Sequence, residues 1–146
     1  MSARASIVKA LVEKLKGIDG TGKSNVSDNV FALHKFWDEV NDFPCIYVVP
    51  GSEMREYLPS AFKWGFLNVS LKVYVKSEEN SIQQLEDLLE DIEKIVDANR
   101  VIVYDTDTAG AETTEILITS IVTDEGLLVP YGVGEITLQV RYQVLN

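Results

Sequence analysis

Trp64-Gly-Phe-Leu-Asn-Val-Ser-Leu-Lys-Val-Tyr-Val-Lys76 decides the fold. Leu67, Val69, Leu71, Val73 and Val75 alternate with Asn68, Ser70, Lys72, Tyr74 and Lys76. This period of two puts one apolar and one polar row on opposite faces, the pattern of a half-buried antiparallel strand. A different period follows at once. Ile82, Leu85, Leu88, Leu89, Ile92, Ile95 and Val96 recur at helical spacing, and Ser81 with Gln84 three residues later has the spacing of a capping box. Glu86, Asp87, Glu90, Asp91 and Glu93 fall between them and read as the solvated face of that helix.

Working outward, residues 100–105, 114–123 and 135–145 read as three further strands, the last two joined by the apolar, Gly-punctuated stretch 126–134. On the N-terminal side, Ile7, Val8, Leu11, Val12 and Leu15 form the stripe of a first amphipathic helix that Gly17 stops. Residues 26–34 read as a short strand or extended arm. Phe36, Trp37 and Phe43 in the turn-rich stretch 36–44 read as anchors that hold it to the core. Cys45 to Val49 reads as a strand that Pro50-Gly51 ends, leaving 52–63 as a polar loop long enough to suggest binding. The sum is an α+β fold: a mostly antiparallel sheet of five to six strands packed against two helices.

A chain of 146 residues suits one domain, 1–146, and folding at this size removes roughly two-thirds of the unfolded surface from water. No apolar run approaches the roughly 20 residues that span a bilayer, and the first residues lead into a charged helix. The expectation is a soluble protein made inside a cell. The single cysteine, Cys45, excludes an intrachain disulfide and reads as a small buried hydrophobe. With one histidine, His34, the chain is short of zinc ligands and shows no local Cys/His catalytic signature.

The net charge of −10 is unevenly spread. Residues 1–37 carry six bases and three acids, whereas residues 81–97 carry six acids against Lys94 alone. Tight nucleic-acid binding needs Lys and Arg to displace counterions from phosphates, so this surface is expected to repel DNA.

Gly17-Ile-Asp-Gly-Thr-Gly-Lys-Ser24 spells the phosphate-binding loop of nucleotide-binding proteins. That loop works only when a buried strand enters it and a helix leaves it from the lysine. Here a helix precedes it and the turn-forming run Ser24 to Asn29 follows, so the P-loop reading built on Lys23 stands as the weaker alternative. Val101 to Asp105 resembles a magnesium-binding strand but equally fits any buried strand ending in a turn. The following loop has Ala109 and Ile116 where calcium ligands would stand, which argues against calcium.

Phe36-Trp-Asp-Glu-Val-Asn-Asp-Phe-Pro44, Val49-Pro-Gly-Ser-Glu53, Tyr57-Leu-Pro59, Lys63-Trp64 and the run Thr123 to Tyr142, in this order of elements, resemble the tail-terminator (tail-completion) proteins of long-tailed bacteriophages. The resemblance covers nearly the whole chain. It implies a hexameric ring of this chain on the last ring of the tail tube, halting tube growth and presenting a head-joining surface. The implied partners are further copies of itself, the tail tube protein, a head-to-tail connector protein, and a sheath protein if the tail contracts. DNA would pass through without specific binding, and no membrane is implied. The implied location is the head-proximal end of the virion tail, with assembly in the host cytoplasm. No catalytic residue, cofactor or metal is implied, hence no enzyme. A head-to-tail connector subunit is the near alternative.

The family offers no short motif to carry over, so the interface residues come from the chain itself. Met54, Arg55, Tyr57 and Leu58 in 51–63, and Leu127, Leu128 and Tyr131 in 126–134, are expected to meet ring neighbours or the tube, since apolar side chains in exposed loops mark partner surfaces. The basic first segment and the acidic second helix could meet between neighbouring subunits and close the ring.

Overall fold

The computed structural model describes residues 2–16, 18, 26 and 29–145. Helix α1 (Ala3–Leu15) is followed by strand β1 (Val30–Phe31), a 3-10 turn (Trp37–Glu39), β2 (Cys45–Tyr57), β3 (Lys63–Lys76), α2 (Ser81–Ala98), β4 (Thr113–Thr123) and β5 (Tyr131–Gln143). The strands form one sheet in the order β1-β2-β3-β5-β4. Among the described residues only β1 and β2 run parallel, so the fold is α+β with a mostly antiparallel sheet on two helices.

Both helices cover one face. The alternation of β3 puts Leu67, Val69, Leu71 and Val73 wholly out of water, together with Ile136, Leu138 and Val140 of β5. Onto this layer α1 presses Ile7, Val8, Leu11, Val12 and Leu15, and α2 presses Leu85, Leu88, Leu89, Ile92 and Val96, all in one continuous core. Ser2 caps α1 by accepting a hydrogen bond from the Ala5 amide at 3.1 Å. On the other face a smaller core of Val40, Cys45, Tyr47 and Tyr74 gathers Phe31, Phe43 and Val133 beneath the 31–44 segment. Phe43 is thus an anchor as expected. Phe36 is 62% exposed and is not, and the Trp37 side chain lies outside the described residues.

Four expectations need correction. Strand β2 does not end at Pro50-Gly51 but continues to Tyr57, because proline is tolerated at a sheet edge and one extra residue between Pro50 and Glu53 absorbs the irregularity as a bulge. Residues 100–105 are no strand: a single bridge joins Val103 to Glu112, and only Ile102 is buried in that stretch. The cap of α2 is Asn80 rather than Ser81, which lies inside the helix and is buried. Ser77 leads the chain in, its hydroxyl donating to Asn80 Oδ1 at 2.8 Å and accepting from the Asn80 amide at 3.2 Å. Finally, two positions of α2 are on other sides than expected: Ile82 is 57% exposed, set against Gly126 on the flank instead of in the core stripe, and Asp91, read as part of the solvated face, is buried.

Residues 19–25, and with them Lys23 and most of the phosphate-loop sequence, lie outside the described residues. The segment entering that sequence is α1, a helix where a nucleotide site needs a buried strand.

Candidate assembly surface

The bulge in β2 changes which residues face the helices. Before it the even positions Ile46, Val48 and Pro50 pair with the inward row of β3; after it the odd positions Glu53, Arg55 and Tyr57 do so. Met54 is thereby turned to the opposite face, beside its cross-strand partner Phe66, and stands 71% exposed. Glu53 is drawn inward. Its carboxylate accepts from the Tyr142 hydroxyl at 2.6 Å and from Arg55 Nε at 2.7 Å, so this charged group is held by two donors. Burial, then the contact with Glu53, pushes the Tyr142 hydroxyl pKa up and keeps it a donor.

Beyond this clamp the β2–β3 hairpin ends in residues 58–62. Ser60 and Ala61 both take left-handed backbone conformations there, and the Leu58 amide donates to the Phe62 carbonyl at 2.8 Å. Aromatic and cationic groups stiffen the tip: Phe62 meets Trp64 edge-on at 5.0 Å, Lys63 sits over the Tyr57 ring, and Arg141 lies 4.9 Å from the centre of the Trp64 ring. Tyr57 nevertheless remains 71% exposed and Leu58 39%.

The second candidate stretch is shorter than expected, because β5 begins at Tyr131 and already carries much of 126–134. Asp124 organises the connection, its carboxylate accepting from the amides of Leu128 at 3.1 Å and Val133 at 3.3 Å. Glu125 and Gly126 turn the chain with positive φ, and the end of the Ile82 side chain lies against Gly126. Leu127 projects with 83% exposure, Leu128 is half-buried, and Tyr131 is half-buried between Phe43 and Lys76.

These two sets of residues are not brought together. Tyr57 pairs with Lys63 at one end of β3 and Tyr131 with Lys76 at the other, so the length of β3 separates them by roughly 40 Å. The fold therefore carries exposed apolar side chains at both ends of its strands.

Three comparisons with known proteins bear on what this chain is. The family model described as Bacteriophage Tail Tube Terminator Protein matches residues 1–146. The chain belongs to that family. Within it, the tail tube terminator protein p142 of Escherichia phage T5 is 37% identical over 154 aligned positions, covering 98% of this chain and 95% of the relative. Among solved structures, a chain from the virion of a native gene transfer agent particle superimposes with a TM-score of 0.62, covering 95% of this chain and 96% of the other. At 8% identity that match shows a shared fold alone.

Asp105 stands in the connection between α2 and β4. Its carboxylate accepts from Thr108 Oγ1 at 2.7 Å and from the Asp107 amide at 3.0 Å, contacts that hold its pKa below the ordinary value. Both oxygens thus serve the loop's own turn.

Proposed function

We propose that this chain caps the phage tail tube as a closed ring, hexameric as the family resemblance implies, and that it stops tube growth and offers the head-joining surface. The carrying observation is the pair of apolar ends: Met54, Tyr57 and Leu58 at one end of the strands, Leu127 and Val129 at the other. A ring whose axis runs along the strands presents one end to the tube and the other to the connector. The role is structural and involves no catalysis. With ten more acids than bases, the chain repels DNA rather than holding it, so DNA passes the bore without specific binding.

The test is tail length. Tails assembled without this chain should show a broad distribution of overlong tubes that do not join heads, and adding the purified protein should restore one length. Normal tube length with failed head joining would favour a connector role; normal length and normal joining would reject both.

A further inference from the structure

We infer that Ile82, Leu127 and Val129 form a docking surface for a basic, apolar segment of a different structural protein of the virion, stacked on this end of the ring. This rests on the ring reading and gives the chemistry of the partner at one of its two ends.

Two connections build the surface, residues 77–80 leading into α2 and 124–130 leading into β5. They are tied together: the Ser77 amide donates to the Pro130 carbonyl at 2.9 Å, and the end of the Ile82 side chain lies against Gly126. Ile82 and Val129 line one hollow of about 140 Å³ together with Glu78 and Glu79. Ile82 is 57%, Val129 55% and Leu127 83% exposed. Aliphatic side chains gathered in water at the end of a sheet, with a charged rim, mark a partner surface.

Their exposure is not that of a slack loop. The Leu127 amide donates to the Asp124 carbonyl at 3.0 Å, the Leu128 amide to the Asp124 carboxylate at 3.1 Å, and the Tyr131 amide to the Leu128 carbonyl at 2.8 Å. Backbone held in this way before a partner arrives has little conformational freedom left to lose on docking.

The charges around the surface specify the partner. Glu78, Glu79 and Glu125 are exposed, and none forms an ion pair with a described cation. Against these three carboxylates stand Lys76, held 5.3 Å from the centre of the Tyr131 ring, and the N-terminus of α2, worth about half a positive charge. The acids prevail. Such a rim repels anionic lipid headgroups and nucleic-acid phosphates, and it attracts an apolar side chain carried between Lys or Arg residues. A ring neighbour is not the occupant: the surface adjoins the end of the strands where Lys76 pairs with Tyr131, so about an axis parallel to the strands it looks along the axis. A second copy stacked there would prolong the assembly rather than end it.

In the experiment the photoreactive benzoylphenylalanine replaces Leu127 in the full chain, which is supplied to assembling phage tails and heads. The particles are irradiated, and cross-linked peptides are sequenced by mass spectrometry. The cross-link should reach a different structural protein, on a peptide with Lys or Arg beside the attached residue. Adding Glu78→Lys/Glu79→Lys to the same chain, with folding checked by circular dichroism, should lower the yield of that cross-link at least tenfold. Incorporated chain that cross-links only to a second copy of itself, to a peptide without bases, or to nothing would overturn the docking surface, as would a yield that charge reversal leaves unchanged. Wild-type chain that never enters tails would instead overturn the ring reading beneath it.

Discussion

The Tyr142 ring lies over Gly65 so closely that a Cβ on the glycine would stand 2.7 Å from Tyr142 Cε1. The ring can occupy this place only because β3 carries no side chain there, and its hydroxyl then reaches Glu53 of β2 across that one strand. Gly65→Ala should destabilise the fold by roughly 1–3 kcal/mol through overpacking. In a Tyr142→Leu background the same change should cost much less. A double-mutant cycle by denaturant unfolding measures the coupling, and purely additive effects would refute the contact.

Leu89 and Ile82 share a helix but not a face. Leu89 is 2% exposed and Ile82 57%. Leu89→Ala should cost about 2–5 kcal/mol, whereas Ile82→Ala should cost about 1 kcal/mol or less. Equal losses in urea unfolding would mean that the α2 stripe has been assigned to the wrong side.

Lys72 and Glu135 sit directly opposite on β3 and β5 with 2.6 Å between Nζ and Oε1. The hydrogen bond to Lys72 holds the Glu135 carboxyl below its ordinary value of 4.5. A carboxylate lowered on folding stabilises the native state above its unfolded pKa, and that contribution is lost as pH falls through the lower, folded value. Glu135→Gln should therefore lower the wild-type melting temperature at pH 7 and leave a smaller difference near pH 3. A difference that grows on acidification would contradict the pairing.

Cys45 is fully buried in the smaller core, and burial raises its thiol pKa to about 12. At pH 8 the native protein should react with Ellman's reagent only as fast as it opens, and urea should release one equivalent of thiol per chain. Rapid labelling of the folded protein would show that the 31–44 segment does not cover Cys45.

The sequence made some of this fold plain and concealed the rest for physical reasons. Period-two and helical spacing exposed β3 and most of the α2 stripe, because each of those elements buries a single face from end to end. β2 was hidden by its own bulge: one added residue reverses the alternation, and Pro50 looks like a stop until its place near the sheet edge is known. Val101 and Val103 mimicked a strand although only their neighbours Ile102 and Tyr104 turn toward the core. For the candidate surface, the exposure of Met54, Tyr57, Leu58 and Leu127 agrees with their reading as accessible apolar residues. Their separation to opposite ends depends on strand pairing, which spacing along the chain does not encode. The Glu53–Tyr142 contact joins residues 89 apart in sequence and left no local signal.

A ring of this chain at the end of the tail tube would be seen by electron cryomicroscopy of intact tails. A closed ring of this fold should stand at the head-proximal end alone, with residues 58–62 and 124–130 on opposite faces of the ring along the tail axis. Tails of normal length that lack this chain at that end, or a ring in which both segments face the same neighbour, would contradict it.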